Sequence, residues 1–592
     1  MGIREIDGHS LYHFIISGAS NLIYNEHMLN SINVFPVADG DTGTNLALTM
    51  RTIINQSEKD EKVFHTMASI SKVALENAYG NSGIIFAQYF NGFSIETGER
   101  HKLSIREFAE IAEKASRYAY EAVANPKEGT ILTIMREWAH DLRDNLHIAD
   151  FERLFEHSVE WSKAKVDQTK TMLKVLIRNN VVDAGAKGFL LFLEGILEFI
   201  KHGRVHASEG LKAEIQESHV HLIDVPEVTK NTYCTQFSVK TEKDAEHLKR
   251  QVSGLGDSLV LSKSEGVMRI HVHTDHPEKV MDLFDGEDEV LSQRVEDMVI
   301  QNGILHHRKH GIAVVTDSIA DIPMDFIRKE QITVIPVNLI CDSRVYLDKL
   351  TMTSGIFYDR LDSFRMNPTT AQPTVASFEK AYANLLEHFD SVIGIFVSGK
   401  MSGIHGNATK AAASMDKRKK ISVIDSGLNS AAQGLLVTEA VELIGKGLSH
   451  EEIVDALEKI KKDIHIYVGV DDLRSMIRGG RISRTTGFIL RRINLKPVIS
   501  IDEEGKGIIY KKTLSRKQAL KGILEKVKSD LAETGIRKYG LVYSDSPGLV
   551  EDIRRKMLGL TGMEPAFVES ISPVVGLNAG KGSYAVAYIK GR

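Results

Sequence analysis

Two carboxylates, Asp39 and Asp41, stand one glycine apart just before a segment that is typical of a helix start. Hard oxygen ligands of this kind suit Mg²⁺, which proteins usually hold with one or two carboxylates and the phosphates of a substrate. Gly40 and Gly43 let the backbone bend and approach a ligand closely, and a helix that begins near Thr44 directs unpaired N–H groups at an anion. The spacing indicates a metal–nucleotide site, although an Asp-Gly-Asp turn that only caps a helix has the same pattern.

The whole segment around these carboxylates reads Asn33-Val34-Phe35-Pro36-Val37-Ala38-Asp39-Gly40-Asp41-Thr42-Gly43-Thr44-Asn45. It resembles the metal-binding loop of the DhaL, or dihydroxyacetone-kinase-like, nucleotide-binding domain. This form looks like the bacterial fatty acid kinase branch, where Pro is usual at the position of Ala38. Three later segments resemble the same family in order: Gly80-Asn81-Ser82-Gly83, Pro126–Thr133 and Val181–Gly188. The first of these segments alone would equally suit a simple helix cap. The sequence contains no Walker A motif, so a P-loop ATPase is excluded.

The resemblance implies an all-α, eight-helix barrel that binds ATP and two Mg²⁺ ions at one open end. Asp39 and Asp41 would be the catalytic metal ligands, with Asn33 as a neighbour. The phosphates would be surrounded by Thr44, Asn45, Asn81, Ser82 and Gly83, and Asp183 would lie near the nucleoside. Two positions depart from the family pattern, because Tyr79 stands where Arg is common and Lys187 where Gln is common.

A second candidate site lies in the middle of the chain. His271 and His273 alternate on a predicted strand, so both imidazoles project to one face, and Cys234 lies on another apolar strand-like stretch. Two His and one Cys suit Zn²⁺, whereas partly buried strand histidines and a core cysteine are the alternative. The segments Tyr-Cys-Thr-x-Phe and His-Val-His-Thr-x-x-Pro resemble the middle domain of the fatty acid kinase family, which is associated with zinc.

The C-terminal half contains five short landmark segments: Val315–Ser318, Pro368–Pro373, Ser398–Gly403, Val423–Ser426 and Arg478–Ile482. With these landmarks it resembles the DegV family of fatty-acid-binding proteins. The hydroxyls of Thr370 and Ser402 could donate to a fatty acid carboxylate, or both could cap helices. The resemblance places Gly403 and position 578 at the same head group. Asn578 replaces a family histidine there, and Leu514 replaces the first Arg of a Lys-x-Arg-x-Arg segment.

Hydrophobic periodicity predicts three kinds of architecture along the chain. Apolar residues at three- and four-residue steps predict eight amphipathic helices: Leu11–Tyr24, Thr44–Asn55, Val63–Ala78, Ser82–Phe93, Ile105–Ala122, Thr130–Asn145, Leu154–Gln168 and Lys187–Lys201. Short strands follow in the middle segment, at Phe237–Val239, Ser258–Leu261 and Val267–His273. Strands then alternate with helices, at Ile312–Val315, Val334–Leu339, Val392–Val397, Ser422–Ile424 and Ile466–Val470, before a second sheet lobe at Pro497–Ile501, Gly507–Lys512, Leu541–Ser544 and Tyr584–Ile589.

We therefore expect a multidomain protein. The predicted domains are an all-α DhaL-like kinase domain (8–203), a small α+β middle domain (220–305) and a two-lobed α/β DegV-like domain (311–590). Two polar segments, Glu209–Glu227 and Gln301–His310, are the predicted linkers.

The amino-acid composition argues against some classes of function. A net charge of −5 with mixed signs argues against nucleic acid as a partner. Two cysteines cannot form a disulfide framework, and the absence of an 18-residue apolar stretch argues against a transmembrane segment, so we expect a cytoplasmic protein. The expected partners are a long-chain fatty acid, a downstream acyltransferase and a second copy of the chain, with transient contact with a membrane surface.

The resulting hypothesis is an ATP-dependent fatty acid kinase fused to its own acyl carrier, which makes acyl phosphate for phospholipid synthesis. Two alternatives remain at this point. One is a dihydroxyacetone-type (glycerone) kinase, which needs a base or a covalent histidine that the sequence does not clearly offer. The other is a lipid-binding sensor with an inactive kinase half, which the departures at Leu514 and Asn578 keep open.

Overall fold

A computed structural model describes residues 3–35, 40–203, 231–264, 266–284, 286–416, 418, 420–471, 476 and 495–591. The chain divides into two compact units, Met1–His306 and His307–Arg592. This division falls inside the predicted linker Gln301–His310, but the first part of that segment, up to His306, is helical. The other predicted linker, Glu209–Glu227, lies outside the described residues.

The first unit begins with a helical domain whose apolar faces share one core. Its helices are α1 (Gly8–Tyr24), α2 (Glu26–Ser31), α3 (Thr42–Gln56), α4 (Val63–Glu76), α5 (Gly80–Thr97), α6 (Ile105–Ala122), α7 (Ile131–Asp144), α8 (Phe151–Thr169), α9 (Lys174–Asn179) and α10 (Ala184–His202). Two short antiparallel strands, β1 (Glu5–Asp7) and β2 (Lys102–Ser104), pair beside them. All eight predicted helices are present, and the short α2 and α9 were not predicted. The helix α6 starts where predicted because Ser104 and Glu107 form a capping box.

The same unit continues into a small α+β domain, as predicted. Its elements are β3 (Tyr233–Lys240), α11 (Ala245–Ser253), β4 (Gly256–Ser264), β5 (Val267–Thr274), α12 (Pro277–Met281), β6 (Glu289–Asp297) and α13 (Met298–His306). The strands form one antiparallel sheet in the order β4-β5-β3-β6. The edge strand β6 was not predicted, because its sequence is largely polar.

The second unit has two lobes, as the sequence indicates. The first lobe contains β7 (Ile312–Asp317), α14 (Met324–Lys329), β8 (Thr333–Ile335), β9 (Asn338–Cys341), β10 (Arg344–Leu347), α15 (Ser354–Arg360), β11 (Thr369–Ala371), α16 (Val375–His388), β12 (Ser391–Phe396), α17 (Ile404–Ser414), β13 (Lys420–Asp425), α18 (Ser430–Gly445) and α19 (His450–Ile460). Its parallel sheet has the order β13-β12-β7-β8, and an antiparallel sheet has the order β10-β9-β11.

The second lobe is built on a six-stranded sheet in the order β16-β15-β14-β19-β17-β18. Its elements are β14 (Ile464–Gly469), β15 (Val498–Ile501), β16 (Gly507–Lys511), α20 (Arg516–Glu533), β17 (Ile536–Tyr543), α21 (Pro547–Thr561), β18 (Phe567–Ser570), α22 (Pro573–Ala579) and β19 (Tyr584–Lys590). The sheet is antiparallel except where β18 lies parallel to β17. Buried Val527, Tyr539, Ile553 and Val586 belong to the core of this lobe.

One predicted strand of the second unit is wrong. The segment Val334–Leu339 is not continuous, because β8 ends at Ile335 and β9 begins at Asn338. The intervening Pro336 has no N–H to donate to a ladder. The two halves also join different sheets, since β8 pairs in parallel with β7 whereas β9 pairs antiparallel with β10 and β11.

Candidate active site

Gly40, just before α3, lies close to α13. Gly40 has φ +63°, and a Cβ there would lie 2.9 Å from Cδ1 of Leu305 on α13. Asp41 is the N-cap residue of α3, yet its carboxylate makes no capping hydrogen bond to that helix. This geometry does not favour the simple alternative, in which Asp41 only caps the helix. Asp39 lies outside the described residues, and Asn33 is buried beside the turn at 2% exposure.

The start of α3 packs directly on the start of α5. Thr44 exchanges two hydrogen bonds with the side chain of Asn30, with its N–H donating to Oδ1 (3.1 Å) and its Oγ1 accepting from Nδ2 (2.9 Å). A Cβ at Gly80 would lie 2.3 Å from Nδ2 of Asn45, and a Cβ at Gly83 would lie 2.5 Å from Oγ1 of Thr49. Glycine is needed at both positions because the two helix starts approach each other so closely.

The starts of α7 and α10 meet the start of α5 at the same end of the domain. A Cβ at Gly185, in the first turn of α10, would lie 3.3 Å from Oγ of Ser82 and 3.2 Å from Cβ of Ile131. The N-termini of α3, α5, α7 and α10 thus converge, and each helix has 14 residues or more. Unpaired N–H groups and helix dipoles make such an end attractive to phosphate groups.

Two predicted nucleotide residues have defined surroundings at this end. Asn81 has a buried Oδ1 without a hydrogen-bond partner among the described residues. Asp183 is the N-cap of α10, where its Oδ1 accepts from the N–H of Ala186 at 2.7 Å. Burial raises the pKa of Asp183 to about 7, although backbone N–H groups of Ala186, Ile131 and Gly185 oppose the rise. The carboxyl of Asp183 therefore holds the starts of α7 and α10 together.

The middle sheet presents a polar face to this end. In the register of β3, Cys234 is opposite His273 on β5 and Glu296 on β6, and Gln236 is opposite His271 and Arg294. Successive side chains of a strand point to opposite faces, so these six residues share one face. Nε2 of Gln236 donates to the carbonyl of Ala78 at 2.8 Å, and the guanidinium of Arg294 lies 5.9 Å from the ring centroid of Tyr79.

The structure brings together the three predicted zinc ligands. Nε2 of His271 lies 3.3 Å from Nε2 of His273 and 4.0 Å from Sγ of Cys234, and all three ligand atoms lie within 4.8 Å of one another. A tetrahedral zinc site with bonds of about 2.0–2.1 Å to N and about 2.3 Å to S would separate two nitrogens by about 3.3 Å and nitrogen from sulfur by about 3.6 Å. The donor set therefore fits zinc with a small movement of the thiol.

The electrostatics of the two imidazoles suit neutral metal ligands. Burial lowers the pKa of His271 well below its usual range, and the neighbouring His273 and Arg294 lower it further. Burial also lowers the pKa of His273 to about 4, although Asp257 opposes the shift. Both rings are thus neutral near pH 7, which is the form that binds a metal.

In the second unit the structure brings the predicted Thr370 and Gly403 segments together. Thr370 lies in the centre of β11, opposite Leu339 of β9, so it does not cap a helix. A Cβ at Gly403 would lie 2.2 Å from Oε1 of Gln372, two residues after Thr370. Oγ of Ser402 accepts from the N–H of Ile404 at 3.4 Å, a long contact at the start of α17.

The remaining predicted residues of this unit have separate surroundings. Asn578 lies on α22, and its amide donates to the carbonyl of Val574 at 3.4 Å. Leu514 is 63% exposed, and Arg516 forms an ion pair with Asp471. The landmark Arg478–Ile482 lies outside the described residues.

A buried acidic cluster, not predicted from the sequence, holds the start of α22. Asp321 accepts from Nζ of Lys349 (3.0 Å), Oγ of Ser430 (2.6 Å) and the N–H of Ser572 (3.0 Å). Asp348 accepts from the N–H of Val574 at 3.2 Å. The helix that carries Asn578 is thus anchored by carboxylates from the first lobe.

Three family models match the chain one after another. They are the DAK2 domain over residues 36–198, the middle domain of fatty acid kinase-like proteins over 230–304, and "Uncharacterised protein, DegV family" over 311–591. The chain joins these three domain families in one polypeptide. The converging helix starts lie in the DAK2 domain, and the Cys-His-His cluster lies in the middle domain.

Relatives and solved structures match about half of the chain. An uncharacterized protein of Staphylococcus epidermidis and another of Staphylococcus aureus (strain USA300) are each 33% identical over 308 residues, which are 50% of this chain and 56% of those proteins. The chain therefore spans about half the length of the curated relatives it matches.

Two solved structures of DegV-family proteins also match. One is described as "Fatty Acid Binding of a DegV family Protein from Thermus thermophilus" (29% identity, TM-score 0.44, 47% of this chain and 99% of that one). The other is "DegV, a fatty acid binding protein from Bacillus subtilis" (28% identity, TM-score 0.44, 48% and 100%). Among the described residues, no helix combines the length and apolar character needed to cross a lipid bilayer.

Proposed function

We propose that this chain transfers the γ-phosphoryl group of ATP to the carboxylate of a long-chain fatty acid and so makes an acyl phosphate. The observation that carries the proposal is the convergence of four helix N-termini beside Asp41, in a DAK2 domain that the chain joins to a DegV domain. An end of a domain at which several helix N-termini meet suits the phosphates of a nucleotide. In this proposal Asn81, Ser82, Gly83 and Asn45 would line the phosphate site, with Thr44 in the first turn of α3.

The proposed reaction needs no general base. A fatty acid carboxyl has a pKa of about 4–5 and is already ionised at pH 7. One carboxylate oxygen attacks the γ-phosphorus, the bond from that phosphorus to the β–γ bridging oxygen breaks, and the electron pair leaves with ADP. No proton is transferred, so the difficulty is the repulsion between two anions. The backbone N–H groups at the helix starts reduce that repulsion on the side of ATP.

The residues of the Asp-Gly-Asp turn fit magnesium. Asp41 offers a carboxylate that is not used as a helix cap, and Asp39 and Asn33 offer two further hard oxygen ligands. Magnesium held there would neutralise phosphate charge and polarise the phosphoryl group. We further propose that Cys234, His271 and His273 bind zinc, because their ligand atoms all lie within 4.8 Å of one another.

In the proposed scheme the DegV domain is the acyl carrier. The hydroxyls of Thr370 and Ser402, next to Gly403, would donate to the fatty acid carboxylate, which is costly to bury without such donors. Asn578 would supply an amide near the same head group. Fusion raises the local concentration of the carrier at the kinase to roughly the millimolar range. Acyl phosphate is a reactive mixed anhydride, so a downstream acyltransferase is the expected consumer.

The test uses the full-length protein with Mg·ATP and oleate. Acyl phosphate is trapped with hydroxylamine, and the acyl hydroxamate is measured by mass spectrometry. We expect Asp41→Asn to abolish product, because the variant loses a metal-binding charge. Asp144→Asn is the matched control, since Asp144 is 73% exposed at the end of α7 and should leave the rate unchanged.

The alternatives give different results in the same assay. Phosphorylation of dihydroxyacetone, with no oleate-dependent product, would replace the proposal with a glycerone kinase. Retention of oleate by the purified protein without any ATP turnover would indicate a lipid-binding sensor. Unchanged turnover in Asp41→Asn would refute the metal assignment itself.

A further inference from the structure

Arg294 on β6 lies where the middle domain meets the nucleotide end. It is opposite Gln236 in the register of β3, and Gln236 donates to the carbonyl of Ala78 just before α5. Its guanidinium lies over the ring of Tyr79, the N-cap residue of α5, at 5.9 Å. The next residues, Gly80 to Gly83, form the helix start that packs on α3. Arg294 is therefore placed beside the predicted phosphate site from a different domain.

One carboxylate fixes the orientation of this guanidinium. Nε of Arg294 donates to Oε1 of Glu296 at 2.7 Å, and Nη2 lies 2.6 Å from the same oxygen. The other oxygen of Glu296 accepts from Nε2 of Gln301 on α13 at 3.3 Å. The third nitrogen, Nη1, has no acceptor among the described residues. A guanidinium held along one edge in this way presents its remaining N–H groups as a preformed anion donor.

The charge of Arg294 is secure although its side chain is only 26% exposed. Burial disfavours the cation, but Glu296 and, more weakly, Cys234 and Asp41 raise the pKa of Arg294 above its ordinary value. Arg294 therefore stays charged on the face of the sheet that also carries Cys234, His271 and His273.

The two domains also contact each other through residues other than Arg294. The N–H of Ala124 donates to the carbonyl of Leu259 at 3.0 Å, and Nζ of Lys249 donates to the carbonyl of Glu121 at 2.8 Å. Val260 of β4 belongs to the core of the helical domain. These contacts come from α11 and from β4, which lies at the opposite edge of the sheet from β6. Arg294 is therefore not the sole link between the two domains.

We propose that Arg294 is a catalytic residue that contacts the phosphoryl group as it passes from ATP to its acceptor. The inference rests on the proposed phosphotransfer and adds a residue from the middle domain to it. During transfer, negative charge spreads over the three equatorial oxygens of the phosphoryl group. A planar guanidinium with N–H groups on one open edge would stabilise that charge and shield the incoming carboxylate.

The experiment separates binding from transition-state stabilisation in the full-length protein. Isothermal titration calorimetry compares Mg·ADP with Mg·ADP plus aluminium fluoride, which mimics the phosphoryl group in transfer. We expect Arg294→Gln to bind Mg·ADP within a factor of about two of the wild type and to lose about 10²–10³-fold in affinity for the aluminium fluoride complex. Arg250→Gln on the exposed side of α11 removes the same charge and should change neither value.

A second measurement excludes a merely structural role. Free guanidinium ion should restore oleate-dependent turnover to Arg294→Ala, and Arg294→Lys should keep only part of the rate because it cannot bond through two nitrogens. Equal loss of both ligands in Arg294→Gln, or no rescue by guanidinium, would overturn the proposal. If the wild type itself fails to bind Mg·ADP, the proposed phosphotransfer falls and this inference falls with it.

Discussion

Replacing Asp348 with Asn should stabilise the DegV domain above pH 7 and change its stability little near pH 4. Asp348 is 1% exposed and accepts a hydrogen bond from the N–H of Val574. Burial raises the pKa of Asp348 to about 7, against an ordinary value of 3.8, although Lys349, Ser318 and the N–H of Val574 oppose the rise. An Asn side chain keeps the accepting oxygen and removes the charge that burial disfavours.

The sign follows from the direction of the pKa shift. A carboxyl whose pKa is raised by folding binds its proton more tightly in the folded chain, so its stabilising effect is complete below pH 3.8 and is lost as the pH rises to about 7. The shift of about 3 pH units corresponds to about 4 kcal/mol at about 1.4 kcal/mol per unit. Relaxation of the pocket around Lys349 reduces this, so we expect Asp348→Asn to gain about 1–3 kcal/mol at pH 8.

The assay must report on the second unit within the full-length chain. Tryptophan fluorescence does not report on the second unit, because the two tryptophans of the sequence, Trp138 and Trp161, both lie in the first unit. Hydrogen exchange of peptides from the buried strand β12, measured by mass spectrometry in urea at pH 5 and pH 8, gives the free energy of opening. Asp359→Asn on the exposed face of α15 is the control. A variant that is no more stable than the wild type at pH 8 would refute the reasoning.

Three further predictions concern the first unit. Gly80→Ala should lower the free energy of unfolding by about 2–4 kcal/mol and weaken Mg·ADP binding, because Gly80 has φ +61° and its Cβ would strike Asn45. Gly203→Ala, in the left-handed region at φ +63° with nothing within 4 Å of its Cβ, should lose only about 1 kcal/mol. Urea titrations followed by tryptophan fluorescence compare the two variants. Tyr89→Phe should raise the free energy of unfolding by about 1 kcal/mol, since the buried hydroxyl has no partner among the described residues; a decrease would show that the hydroxyl is bonded in solution. Elemental analysis of the purified protein should find about one zinc per chain and a large loss in Cys234→Ser, and zinc-free wild type would contradict that site.

Local patterns predicted the eight long helices of the helical domain and most of the strands to which bounds were given. The helix Ile105–Ala122 was predicted at its observed limits from its apolar spacing, and the structure adds a capping box at its start. The strand Val334–Leu339 was wrong because a six-residue apolar run does not reveal that Pro336 divides it between two sheets. The edge strand β6 was missed because its polar residues gave no buried alternation. Elements whose apolar face meets a single core are therefore the ones that a sequence pattern specifies.

The candidate sites were predictable to a different extent. The alternation of His271 and His273 predicted that both would share a face, but only strand pairing brings Cys234 to them. The positions of Gln236 and Arg294 depend on the register of β3 with β6, which no local signal encodes. The acidic cluster around Asp321 joins residues more than 200 positions apart. Such contacts depend on the topology of the folded chain, so local sequence patterns do not predict them.

The four converging helix starts give this protein a source of positive potential that has no titratable group. Peptide dipoles keep their direction at any pH at which the helices are folded, and lysine acetylation cannot remove them. The dipole part of the attraction for phosphate at this end should therefore persist through changes in cellular acidity that would neutralise a histidine-based pocket, whereas the carboxyl of Asp183, whose pKa burial raises to about 7, titrates in that range. Regulation of this dipole contribution would have to act on shape, by moving one helix start away from the others.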